Sequence, residues 1–186
     1  MSQGGPDENW LSQHADMIIA LASNMPQINA MVSAAAYVMG FFYMMKAVLT
    51  FKTMTESRSM MSTHSHIREP LMYITVGAML IYLPTAVQVF LMTTFGTNTI
   101  LDYNSGQIAT IFSTDSELGK AMVSIIKTIG LISFIRGWVL MARLGSGQQH
   151  QQGGMGKAFL HIFGGIMAMN IVATIDMLYA TLGLNA

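Results

Sequence analysis

Lys127 and Asp176 are charged residues set inside stretches that are otherwise apolar, and they are the first candidates for chemistry in this chain. If their two stretches fold back on each other about Gln151 and Gln152, both charges fall at a similar depth. A lone charge in a lipid layer costs several kcal/mol, so the two are expected to form an intramembrane ion pair. Such a pair either fixes the register of two helices or serves as one step of a proton or ion relay. A relay needs further titratable neighbours along a path, and few are in sight, which favours the register role. Arg136 lies further along the Lys127 stretch, at a spacing that turns it to the opposite side of a helix. It is expected to snorkel toward lipid phosphate, with a second subunit or a water-filled lumen as alternatives.

Other polar groups offer less. His64 and His66 form a His-Ser-His segment with Glu56 and Glu69 nearby in sequence, but a metal needs three or four converging ligands. These histidines read as solvated, and His150 and His161 stand apart from them. No cysteine is present, which removes disulfides, thiolate metal sites and thiol nucleophiles. No nucleophile elbow, P-loop, HExxH or dinucleotide fingerprint occurs, and the glycine-rich stretch 145–156 lacks the GK[ST] ending that cradles phosphate. The expectation is a protein that is not an enzyme, without metal or resident cofactor. Bound phospholipid is the one ligand kept open.

The elements that carry these residues are four apolar runs, 30–51, 71–95, 121–144 and 158–184. A hydrocarbon core of about 30 Å needs roughly 20 helical residues, and each run is long enough. The chain of 186 residues, 10% charged and neutral overall, therefore reads as an all-α polytopic membrane protein. Its expected plan is four transmembrane helices in two hairpins, 29–95 and 115–186, joined by an outer loop 96–114. Thr114 and Glu117 form a capping box, so the third span should start near Asp115 and run about 45 Å to Leu144. Ahead of the hairpins, residues 1–28 place Trp10, Leu11, His14, Ile18, Leu21 and Met25 at helical spacing. They predict an amphipathic helix on the outer membrane surface, ended by Pro26.

Charge placement sets the orientation. The nine basic residues gather at Lys46, Lys52, Arg58 and Arg68 around the first interhelical loop, and at Lys120, Lys127, Arg136, Arg143 and Lys157 in or near the second hairpin. The positive-inside rule puts both hairpin loops in the cytoplasm and both termini with the 96–114 loop outside; Lys120 alone runs against it. Lys46, Lys52, Arg58, Arg136, Arg143 and Lys157 become candidates for lipid-headgroup, lumen or partner contacts.

Small residues mark where helices can close on each other. Ala36 and Gly40, Gly130 with Ser133 and Gly137, and Gly164 with Ala168 lie at packing intervals, and nineteen methionines add adaptable apolar surface. Gly40 and Lys46 are spaced as Gly130 and Arg136 are, and Gly77 and Gln88 as Gly165 and Asp176 are. Duplication of one hairpin and chance likeness between apolar helices both explain that pattern.

The stretch 132–138, Ile-Ser-Phe-Ile-Arg-Gly-Trp, then the Gly/Gln loop and 157–165, Lys-Ala-Phe-Leu-His-Ile-Phe-Gly-Gly, resembles the small membrane subunits of type IVB secretion systems. The nearest are the IcmC/DotE-type proteins of Dot/Icm machines and their TraQ-like relatives of conjugative plasmids. The likeness covers the chain from about Gly130 onward and is architectural before it. It implies a bacterial inner-membrane component of an apparatus that exports protein or DNA, with both termini periplasmic. Implied partners are membrane lipid, copies of itself and other secretion-apparatus subunits; no nucleic-acid-binding motif is present. Each half is also similar to the helical-hairpin plan of conjugative pilins, so a pilin-like cell-surface filament is one form the assembly could take. Two other classes stand beside it: a four-helix transporter or channel using Lys127, Asp176 or Arg136, and a low-copy assembly scaffold.

Overall fold

The computed structural model describes residues 6–58, 67–100, 116–145 and 154–183, and all regular structure among them is helical. The elements are α1 (Pro6–Ser23), α2 (Met25–Arg58), α3 (Arg68–Ile81), α4 (Leu83–Phe95), α5 (Ser116–Gly145), α6 (Gly154–Met169) and α7 (Ile171–Thr181). Two of them, α2 and α5, are each long and apolar enough to cross a membrane. The pairs α3/α4 and α6/α7 meet the same test only when each pair is taken together, and they bend by 92° and 94°. His64, His66, His150, most of the Gly/Gln loop and most of the outer loop lie outside the described residues.

α2 runs for 34 residues, about 51 Å, without an internal breaker. Pro26 sits in its first turn, where a missing amide leaves no helical bond unmade, so the break before α2 falls at Asn24 and not at the proline. Ser23 Oγ and Asn24 Nδ2 both donate to the Ala20 carbonyl, at 2.7 and 3.1 Å, and close α1. α1 makes more contact with α5 than with α2, so it packs on the bundle over at least part of its length. α5 starts at Ser116, beside the expected capping box, and ends at Gly145.

The closest packing is α5 against α6, then α2 against α3, with α3 also lying on α5. Glycine sets both hairpin contacts. A Cβ on Gly40 would sit 3.0 Å from the Gly77 carbonyl oxygen and 2.9 Å from the Ile81 nitrogen; one on Gly77 would sit 3.0 Å from the Gly40 oxygen. Likewise, a Cβ on Gly130 would sit 2.8 Å from the Gly165 oxygen and 2.6 Å from the Met169 nitrogen, and one on Gly165 would sit 2.8 Å from the Gly130 oxygen. The two hairpins thus close in one register, glycine on glycine, as the sequence spacing foreshadows. Between them lies a core in which Phe90 of α4 meets Phe134 and Trp138 of α5 edge to face, at 5.5 and 6.1 Å.

Both return segments depart from the uninterrupted spans expected over 71–95 and 158–184. α3 stops at Tyr82 (φ −96°, ψ 34°) because Pro84, in the first turn of α4, has no amide and its ring opposes the carbonyl one turn back. α6 stops at Asn170 (φ −114°, ψ 55°) with no proline near. There the Thr174 hydroxyl, 2.8 Å from the Met167 carbonyl and 3.0 Å from that of Asn170, serves a backbone acceptor that the break releases. The two breaks follow Gly77 and Gly165 at the same interval. α4 itself closes on Gly96 in the left-handed conformation (φ 72°), whose amide donates to Met92 O at 3.0 Å.

Candidate functional site

The first elbow, where α3 turns into α4, borders an open hollow of about 490 Å³ against α2 and α5. Asn29 and Ser33, one turn apart on α2, enter from one side and Lys127 of α5 from another. Gln88 of α4, with Asn98 and Thr99 beyond it, completes the polar lining among the described residues. Lys127 is half-buried and is the one charged residue among the described lining. Asn29 Oδ1 is shut off from solvent and accepts no hydrogen bond from the described residues. Leu83, Leu91, Leu131 and Met169 form apolar wall between these groups. Such a lining can hold an anion through one ammonium and several amide or hydroxyl donors while covering apolar surface beside it.

Asp176, expected opposite Lys127, is half-buried on α7 and is not among the residues that line this hollow. Asn29 and Ser33 were legible only as two polar residues one turn apart, just before and just inside an apolar run.

A second polar grouping forms where α2 meets the start of α3. Lys46 Nζ stands 4.5 Å above the centre of the Tyr73 ring, Tyr43 stacks on the same ring at 6.0 Å, and the Tyr73 hydroxyl donates to Glu69 Oε1 at 3.2 Å. A cation over an aromatic face at an exposed position contributes about 0.5–1 kcal/mol. Nothing in the sequence spacing singled out these tyrosines. The end of α5 comes to the same region, with Gly145 against Met72.

The remaining basic candidates scatter. Lys52 pairs with Glu56 at 3.9 Å on the exposed surface of α2, an arrangement that contributes little. Arg136 and Lys157 are exposed at separate points on α5 and α6, Arg143 is exposed near the end of α5 within electrostatic reach of Tyr43, and the Arg58 side chain lies outside the described residues. Among the small residues, Ala36 and Gly40 are buried on α2, and Gly130 and Gly137 are buried against α6. Ala168 brings its backbone against Gly130, whereas Gly164 is exposed with open space where a Cβ would stand. The contact expected of Gly164 is made by Gly165. Polar glue is supplied by Ser133, whose hydroxyl donates across the hairpin to the His161 carbonyl at 3.2 Å.

Comparison with known proteins leaves the site to speak for itself. No family model, curated protein or solved structure matches the chain.

Proposed function

We propose that the chain is a structural membrane subunit of a type IVB-like secretion or conjugation apparatus, working by helix association and not by catalysis. In this reading α2 and α5 cross the bacterial inner membrane and the two bent pairs return, giving two hairpins with four crossings. Both termini and the 96–114 loop are periplasmic, and the basic hairpin loops are cytoplasmic. Copies of the chain, other apparatus subunits and lipid surround it, and a pilin-like filament is the extended form of the same association. The observation that carries the reading is the contrast between the long helices: 39% of the apolar window of α5 is buried within the chain but only 17% of that of α2. Ala36, Gly40 and Ala47 turn α2 toward its hairpin partner, while Val38, Phe41 and Val48 stay 64–71% exposed on its other sides.

The absence of cysteine makes the test direct. Val38→Cys and Phe41→Cys, oxidised in native membranes, are expected to give disulfide-linked dimers, which require Cα atoms within about 7 Å. Ala36→Cys, buried within the chain, should give none. Membrane-inserted protein that cross-links at neither exposed position, to itself or to apparatus subunits, refutes the association. Shearing cells that carry the whole apparatus then separates filament from membrane-confined subunit.

A further inference from the structure

The two elbows share one backbone plan and differ in what fills it. Counted from Gly77 and Gly165, the breaks at Tyr82 and Asn170 fall at the same place. At the first, the Tyr82 amide donates to Ala78 O at 2.9 Å and the Ala86 amide to Tyr82 O at 2.8 Å. At the second, the Asn170 amide donates to Ile166 O at 3.2 Å and the Thr174 amide to Asn170 O at 3.0 Å. The helical ladder thus lapses over 83–85 and over 171–173, and a straight helix needs an amide from each residue of those stretches. Pro84 has none, and its ring opposes the carbonyl one turn back, so the first elbow cannot close into a regular helix. Its counterpart is Val172, and Ile171, Val172 and Ala173 all have amides to give to the carbonyls of Met167, Ala168 and Met169.

The arms beyond the breaks differ in the same sense. α4 buries Leu83, Ala86 and Leu91, and its Phe90 meets Phe134 and Trp138 of α5. On α7 the counterparts of Leu83 and Leu91 are Ile171 and Tyr179, both half-buried, and that of Phe90 is Leu178, 50% exposed. An arm that buries less apolar surface opens at lower cost. Opening also brings a gain, because α6 alone has 16 residues where a crossing needs roughly 20. One helix from Gly154 to Thr181 is about 42 Å long and crosses with every interior backbone group bonded. We propose that the second elbow is a hinge at which α6 and α7 straighten into a single membrane-crossing helix, and that the first elbow is fixed. Asp176 rides on the moving arm, so opening repositions its carboxylate relative to α5. The proposal rests on the chain lying in a membrane and not on its association with other subunits.

The test is the distance between two spin labels on the full chain in nanodiscs of increasing thickness. Phe159→Cys with Ala180→Cys reports the second elbow, and Leu71→Cys with Met92→Cys, exposed at the equivalent positions, reports the first. From the helical rise and the observed bends, each pair is about 22 Å apart when bent and about 32 Å apart when straight. From dimyristoleoyl through dioleoyl to dierucoyl phosphatidylcholine, the longer distance at the second elbow is expected to grow at least threefold in share, while the first elbow keeps the shorter one. Val172→Pro, which copies Pro84, should abolish the longer distance, with circular dichroism reporting that the helices fold. Should that variant not fold, the thickness series without it decides. The shorter distance alone at the second elbow in every bilayer, an equal gain at both elbows, or a longer distance that survives in folded Val172→Pro overturns the proposal. Protein that does not enter the discs refutes the membrane reading and the hinge with it. Cross-linking through α2 is read separately, so failure of the hinge leaves the association standing.

Discussion

Gly164 and Gly165 are identical residues side by side, yet only the second lies against the facing helix. One step along a helix rotates a side chain by about 100°, which carries Gly164 out of the interface. The spacing of small residues shows that a stripe exists but leaves its phase open where two glycines adjoin. At Gly130 the neighbours of an added side chain are the backbone atoms of Gly165 and Met169, which cannot swing aside. Gly130→Leu and Gly165→Leu are therefore expected to destabilise the chain by about 1–3 kcal/mol or more through overpacking, seen as a lower midpoint of unfolding in detergent. Gly164→Leu should stay within about 0.5 kcal/mol of wild type. Equal loss at Gly164 and Gly165 would show that the register of α5 and α6 is wrong. Lys127 was legible as a functional candidate from its apolar setting alone. Its lining partners Asn29 and Ser33 were not, because neutral polar residues at one-turn spacing are ordinary in helices.

The long helices were legible as elements, since α2 and α5 cover their apolar runs and α5 is helical from Ser116, next to the expected start at Asp115; Thr114 of the expected capping box lies outside the described residues. The elbows were not. Pro84 was a readable stop signal within 71–95, but continuous hydropathy masks a break because both halves of a bent helix are apolar. The elbow at Asn170 carries no proline at all; its local support is Thr174. Thr174 is 6% exposed, so Thr174→Val removes a buried donor while keeping the shape. The expected loss is about 1–3 kcal/mol from the backbone acceptor left behind, again measured by unfolding in detergent. Thr93→Val is the matched control, because Thr93 bonds the Val89 carbonyl one turn back on an exposed face and relieves no break. If both variants lose the same amount, Thr174 is only a helix residue and the elbow is held by packing alone.

For the molecule as a whole, the proposed orientation rests on the placement of Lys and Arg. Single cysteines in this cysteine-free chain can read it out. On spheroplasts, a membrane-impermeant maleimide is expected to label Asn98→Cys, and to label Thr53→Cys only after lysis. The reverse pattern refutes the orientation. Duplication was half legible in the same way: paired spacings suggested two like hairpins, and the matching glycine contacts and elbows give them one geometry. The elbows bear on the membrane itself. α3 and α6 rise only about 21 and 24 Å before turning, short of a hydrocarbon core of about 30 Å. If α2 and α5 seat the chain in a membrane as proposed, the leaflet above each elbow must thin or admit water to meet it, and each copy of the chain then carries two built-in points of bilayer deformation.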